Sequence, residues 1–186
     1  YQEEHKPLVI IGSPPCTPFS QLQAMNPKDD KAQQRWDEGV GHMKFVVQLY
    51  RNQLSAGRVF LHEHPKNAKS WMMEELRKLA SREGGSIVEP DQCMFGLKTW
   101  GGNRHQLVPA KKPTKFMLSR LNDSADISNK RCKPRGCICS RTQKPHKILT
   151  GTAPGGAFWS LIAQPYPPPL ARALASLLYN SCNHRA

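Results

Sequence analysis

Pro7-Leu8-Val9-Ile10-Ile11-Gly12-Ser13-Pro14-Pro15-Cys16 is the stretch on which the reading of the whole chain turns. Its apolar residues run on without polar alternation and stop at Gly-Ser-Pro-Pro, the pattern of a strand buried on both faces of a parallel sheet. A cysteine follows on a loop stiffened by Pro14, Pro15 and Pro18. It stands at the carboxyl end of the strand, where open α/β sheets place their ligands. A thiol held with so little backbone freedom suits a nucleophile, although a buried structural cysteine would fit the same spot.

Working outward, residues 1–7 read as a polar leader and 20–33 as a polar loop. Trp36, Val40, Met43, Val47, Tyr50 and Leu54 recur at spacings of 4, 3, 4, 3 and 4, a helical stripe that Gly57 ends. Gly39-Val40-Gly41 lies inside that stripe with no strand before it, so it is no nucleotide loop. Arg58 to Pro65 reads as a second strand, Ser70 as the N-cap of a helix from Trp71 to about Arg82, and Ile87-Val88 as a third short strand. Pro109 to Phe116 reads as a basic loop, and the segment 117–153 has no usable periodicity. A last helix follows Pro167-Pro168-Pro169, with Leu170, Leu174, Leu177 and Leu178 on one face. The alternation of strands and helices predicts an α/β fold around a parallel sheet. Three stretches are expected: 1–116 as the α/β part, 117–153 as a basic Cys/His-rich insertion, and 154–186 as a helix returning to it.

Charge is distributed unevenly. The net charge is +13, yet all 14 acidic residues lie between Glu3 and Asp126, and Ile127 to Ala186 carries nine Lys and Arg with no acid. A one-signed stretch of this kind suits a polyanion, since each neutralised phosphate releases condensed counterions. DNA is the expected partner, with RNA as the alternative, and a merely solvated basic surface is the plainer explanation. No apolar run reaches membrane-spanning length and no signal peptide is visible, so an intracellular protein with reduced cysteines is expected.

Two further groups can carry chemistry. Glu63, between His62 and His64 at the end of the second strand, would share a sheet rim with Cys16. A carboxyl group there can protonate or bind a ring nitrogen and make a base electrophilic, while His62 and His64 could instead hold a metal for hydrolysis. Cys132, Cys137, Cys139 and His146 have spacings that could close a tetrahedral zinc site in a segment too polar to build its own core.

Taken in order, these pieces resemble the DNA cytosine-5 methyltransferases. Pro15-Cys16-Thr17-Pro18-Phe19-Ser20 is similar to the family's Pro-Cys-Gln-x-Phe-Ser nucleophile loop, and Glu63-His64-Pro65 to its Glu-Asn-Val or Glu-Asn-Pro motif. Asp91-Gln92-Cys93-Met94-Phe95-Gly96, leading to Lys112-Pro113-Thr114, resembles the form found in phage-type and retroelement-encoded relatives. Gln164 to Ala173 is similar to the opening of the family's last helix. The match spans most of residues 8–180.

The resemblance implies a Rossmann-like methyltransferase sheet and a cytosine rotated out of the duplex. Cys16 would attack C6, Glu63 would hold N3 and the exocyclic amine, and Lys112 would stand close to the base. Ser13, Pro15, Thr17, Phe19, Ser20, His64, Lys115, Arg131 and Arg135 would contact the nucleic acid. The methyl group would come from S-adenosylmethionine, against Pro14 and Pro168. Thr17 stands where the family has Gln and His64 where it has Asn, and the family's opening Phe-x-Gly-x-Gly strand is absent from this sequence. The expectation is therefore the catalytic half of such an enzyme, working on DNA in the nucleus. A partner chain or a preceding segment would hold the donor, and the alternative is a relative that only binds nucleic acid.

Overall fold

A computed structural model describes residues 1–21, 23, 29–101, 106–119 and 125–183. The chain divides into two compact units that interleave along the sequence. The first comprises Tyr1–Val88, Lys115–Asn122 and Leu178–Ala186, the second Glu89–Thr114 and Asp123–Leu177.

The elements in chain order are α1 (Gln2–His5), β1 (Val9–Gly12), α2 (Asp30–Ser55), β2 (Val59–Pro65), α3 (Glu74–Arg82), β3 (Gly85–Val88), β4 (Lys98–Trp100), β5 (Leu107–Lys111), β6 (Thr114–Ser119), α4 (Ala125–Ser128), β7 (Lys147–Ile148), α5 (Trp159–Ile162) and α6 (Pro168–Asn183). The class is mixed α/β, as expected, but the sheet is mixed rather than parallel. One sheet has the order β1-β2-β6-β3, with β1 and β2 parallel and β3 and β6 antiparallel; a second has the order β4-β5-β7.

In the first unit the core forms where α2 and α3 cover the sheet. Met43, Val46, Val47 and Tyr50 of α2 are buried with Phe60, Leu76, Leu79 and Met117, and Trp36, Val40 and Leu54 pack at the margin of that cluster. The helix begins earlier than the apolar stripe does. Asp29 caps it by accepting a 2.7 Å hydrogen bond from the Ala32 amide, which satisfies a donor that would otherwise be orphaned at the helix start.

One expectation about this unit is qualified and another corrected. The polar leader expected over residues 1–7 is anchored at one point: Gln2 is buried, and its side-chain amide donates to Leu49 O (2.9 Å) and Gln53 Oε1 (3.1 Å). Ser70 is no N-cap: it lies in a 3-10 turn, Lys69–Met72, and its hydroxyl serves His64 instead. A buried imidazole without a partner costs more than a missing cap at a short helix, so the hydroxyl is better spent there.

Gly39 explains how the cysteine loop lies on α2. A Cβ at this position would sit 2.9 Å from the Pro18 Cβ and Cγ atoms and 3.5 Å from Phe19 Cε2. In an open helix, Gly→Ala would be worth about 1 kcal/mol of added stability. Here the obstruction is a proline ring on a braced loop, and overpacking of that kind costs about 1–3 kcal/mol. Gly39→Ala is therefore expected to destabilise the protein by about 1 kcal/mol in urea unfolding; a gain in stability would show that the loop yields freely.

In the second unit, β4 and β5 pair antiparallel and β5 pairs with β7 in parallel. The stretch expected as the basic loop 109–116 is thus two strand segments, joined at Lys112 and Pro113. Its alternation is broken by prolines and lysines, which hides the strands from a periodicity reading. Leu97, Ala110 and Ala163 form a small buried cluster with Leu149 against it. On α6, Leu170, Leu174, Leu177 and Leu178 are all buried, as their spacing predicts. Among the described residues, no helix is long and apolar enough to cross a membrane.

Candidate functional site

The rim of the first sheet is set by strand register. β1 and β2 run parallel with Gly12 opposite His62, so Ser13, just past the end of β1, comes level with Glu63, which is still within β2. Ser13 Oγ donates a 2.8 Å hydrogen bond to Glu63 Oε2 and ties the cysteine loop to the carboxylate. Cys16 then lies half-buried at the start of a 3-10 turn, Thr17–Phe19, which the Phe19 amide closes on Cys16 O at 3.1 Å. Pro15 and Thr17 are exposed, while Phe19 is buried edge-on to Trp36 with centroids 5.3 Å apart. Ser20 closes the turn through a 3.2 Å bond from its amide to Thr17 O.

His64 is the second brace. Its Nε2 lies 2.9 Å from Pro14 O, and a carbonyl can only accept, so Nε2 carries the hydrogen. Nδ1 is then the acceptor for the Ser70 hydroxyl at 2.7 Å. Both ring nitrogens are in use, and burial pushes the imidazole down to about pKa 4 although the Pro14 carbonyl pulls the other way. His62 is buried beside it, with Nδ1 3.0 Å from Tyr50 Oη. Burial, helped by His64, lowers its pKa to about 3. Two neutral imidazoles, one with both nitrogens engaged, make a rigid prop rather than a metal site. His64, where the resembled family has Asn, still reaches the loop that carries the cysteine.

Beside the loop is a cavity of about 850 Å³, lined by Pro14, Pro15, Thr17, Pro18, Trp36 and Gly39 among others. Asp29, Asp30 and Glu38 share its wall with Arg35 and Lys69, a mixture that suits a polar small molecule more than a phosphate backbone. Cys16 and Glu63 are not among its described lining residues, so the cavity adjoins the cysteine loop. Lys115 holds its amino group 5.1 Å from the Trp71 ring centroid.

The fit to S-adenosylmethionine is poor. Pro14 borders the cavity, and Pro168, in the other unit's part of the chain, is exposed at the first position of α6. Among the described residues, β1 runs into Pro-Pro-Cys rather than into a glycine-rich strand-to-helix turn, and Gly39 and Gly41 lie inside α2. β1 is the outer strand of its sheet, and Ile11 on it is 64% exposed. These residues do not build a donor site.

In the second unit, Lys112 donates to Ala163 O at 3.0 Å and Gln164 O at 3.4 Å, and lies 5.9 Å from the Tyr166 ring centroid. Its charge thus meets the carbonyl end of α5, a stabilising placement for a cation. Arg131 pairs with Glu89 at 2.8 Å, and Arg135 is exposed in a turn whose carbonyl accepts from the Ile138 amide at 3.1 Å.

The same unit gathers a thiol–imidazole cluster that could hold a metal ion: one ligand atom each from Cys93, Cys132, Cys139 and His146, all within 4.8 Å of one another. Three of the four residues expected from sequence spacing are there. Cys137 is not; its side chain is exposed and only its carbonyl takes part, accepting from His146 Nδ1 at 3.0 Å. Gly136, at φ +59°, turns the chain so that the Cys137 side chain points outward. Cys93, which takes the fourth place, sits in a 3-10 turn, Gln92–Phe95, that ends at Gly96 with φ +93°. No spacing rule connects it to residues 132–146. Its thiol pKa is pushed up by burial first and by Cys132 and Cys139 next. At Cys139 burial acts upward too, but the Thr142 and Arg141 amides donate to the sulfur and bring its pKa below the usual value. None of the six cysteines is in a disulfide.

No protein-family model, curated protein or solved structure matches this chain. Fold and site together define a mixed α/β protein with a half-buried cysteine on a braced loop that Ser13 ties to a carboxylate in one unit and a thiol–imidazole cluster in the other.

Proposed function

We propose that the first unit is the catalytic region of a DNA cytosine-5 methyltransferase-like protein with Cys16 as nucleophile. The observation that carries this reading is the Ser13–Glu63 hydrogen bond of 2.8 Å, which joins the cysteine loop and the carboxylate at the ends of two adjacent parallel strands. The motif order set out above supports it. On this reading the sheet is part of a Rossmann-like methyltransferase sheet, and the open side of β1 is where a donor-holding segment or partner chain pairs.

The chemistry assigned to these residues is conjugate addition. A flipped cytosine presents C6 to Cys16, whose sulfur forms a bond to that carbon. Electrons of the C5–C6 double bond move toward N3, which takes a proton from the Glu63 carboxyl. C5 is then nucleophilic and accepts a proton from water. Loss of the original C5 hydrogen, return of the N3 proton to Glu63 and expulsion of sulfur restore cytosine. In a methyltransferase S-adenosylmethionine would supply the methyl group for C5, and none of the residues named above is assigned to hold it. Pro15, Thr17, Phe19 and Ser20 shape the loop around the base. Arg131, Arg135 and Lys115 face DNA phosphates, with RNA as the other polyanion. Zinc at the thiol–imidazole cluster would serve the folding of the second unit and no step of this chemistry. Acting on DNA, such a protein would work in the nucleus.

The test needs no donor. Random-sequence DNA containing 5-deuterocytosine should lose deuterium to water in the presence of the protein. Cys16→Ala should abolish the loss, and Glu63→Gln should slow it by about a hundredfold or more. Exchange that survives Cys16→Ala would refute the assignment. A second reading, a non-catalytic nucleic-acid-binding module, is favoured by the acid-free stretch from Ile127 onward. It predicts steeply salt-dependent binding that Cys16→Ala leaves unchanged, with no exchange at C5.

A further inference from the structure

We infer that Cys93, Cys132, Cys139 and His146 are the four ligands of a closed, structural zinc site that staples the basic segment 131–146 to the turn at Cys93.

The four ligand atoms lie within 4.8 Å of one another, and the two edges at Cys132 have tetrahedral length. With Zn–S near 2.3 Å and Zn–N near 2.0–2.1 Å, an S···S edge is about 3.8 Å and an S···N edge about 3.6 Å. Cys132 Sγ lies 3.9 Å from Cys139 Sγ and 3.6 Å from His146 Nε2. A disulfide between the two sulfurs would require about 2.05 Å. These separations leave room for a central cation and are too long for a covalent S–S bond.

The surroundings of His146 and Cys132 suit metal binding. His146 Nδ1 faces Cys137 O at 3.0 Å and must carry the hydrogen there, which leaves the Nε2 lone pair directed into the cluster. The Ser140 amide and hydroxyl both donate to Cys132 Sγ, at 3.4 and 3.5 Å. Donors converging on sulfur suit thiolates. Lys133, Arg135, Arg141 and Lys144 lie within the same segment and offset the surplus negative charge of three thiolates on one dication.

The segment is tied by the Arg131–Glu89 pair, by a 2.8 Å bond from the Cys132 amide to Asp91 Oδ2 and by its own turn hydrogen bonds, with little apolar burial besides. Its buried cluster is three cysteine side chains with Met94 against them. That is far too little apolar surface to order a turn-rich stretch, and binding energy from a metal is the usual substitute. The site is full with four protein ligands, so it assigns the zinc no open position for catalysis. This inference does not depend on the chemistry at Cys16.

The experiment uses the whole chain purified under reducing conditions and loaded with Zn²⁺. One zinc per chain is expected, and Co²⁺ in its place should give the thiolate-to-metal charge-transfer and intense visible bands of a tetrahedral site. Cysteine alkylation read by mass spectrometry then identifies the ligands without any variant. Cys93, Cys132 and Cys139 should be protected by zinc and become reactive on chelation, while Cys137 reacts at the same rate in both states. Cys137→Ser should keep its zinc, and Cys93→Ser should bind it more than about a hundredfold more weakly. Zinc-dependent protection of Cys137, protection of Cys93 that chelation does not change, or no stoichiometric metal would overturn the assignment.

Discussion

Gly12→Ala should destabilise the first unit by about 4 kcal/mol, the sum of an overpacked core and a broken buried hydrogen bond. A Cβ at Gly12 would overlap Tyr50 Oη and come within 3.0 Å of its Cζ. Tyr50 cannot retreat. It is fully buried, stacks on Phe60 with centroids 4.5 Å apart, and bonds His62 Nδ1 at 3.0 Å. The glycine is therefore a matter of space, at the place where β1 turns into the cysteine loop. Tyr50→Phe removes the oxygen and leaves His62 short of a partner, at a cost of about 1–3 kcal/mol. In combination, Gly12→Ala and Tyr50→Phe should cost clearly less than the sum of the single changes, because the Oη contact is lost only once. Urea unfolding of the four proteins measures this, and strict additivity would show that the overlap is relieved elsewhere.

Acid should weaken the fold over a window set by His62 and His64. Both are depressed in the folded state, from an ordinary value of 6.5 to about 3 and about 4, by burial before all else. The unfolded chain therefore takes up protons below pH 6.5 that the folded chain refuses. Their stabilising contribution is complete above that pH, falls as the pH drops, and for His64 is exhausted near pH 4. For His64 alone the loss by pH 4 is on the order of 3 kcal/mol. Urea midpoints from pH 8 to pH 4 should decline with a slope approaching two protons, and His64→Asn should remove about one of them. A flat profile between pH 6.5 and pH 4 would mean that these imidazoles are charged or exposed.

Long periodic elements were legible in the sequence. The α2 stripe and the leucine face of α6 were read at nearly the right places, because one buried face at helical spacing is a strong signal. The two parallel strands around Cys16 and Glu63 were legible too, one from its apolar run and the other from the proline that ends it, but the run did not mark a strand buried on both faces: β1 is outermost in its sheet and Ile11 is exposed. Their register, and with it the Ser13–Glu63 bond, was not legible. β4, β5 and β6 escaped notice because they are short, carry lysines and prolines, and draw their order from neighbouring strands that no local pattern announces. The parallel sheet was over-generalised from β1 and β2. Of the four residues in the thiol–imidazole cluster, spacing pointed to three, which share a loop, whereas Cys93 reaches the cluster only through the fold. Ser70 was misread as a helix cap because a capping serine looks the same in sequence as one that satisfies a buried histidine.

The central claim is that Cys16 is the nucleophile, and a mapped covalent adduct tests it most directly. DNA carrying 2-pyrimidinone in place of cytosine lacks the exocyclic amine, so its C6 is more electrophilic and the adduct reverses slowly. Incubation with the whole protein, digestion and mass spectrometry should find the base on the peptide containing Cys16, while exposed Cys137 and half-buried Cys182 stay unmodified as internal controls. Modification of Cys137 or Cys182 with Cys16 untouched, or no adduct at all on DNA that the protein binds, would contradict the account.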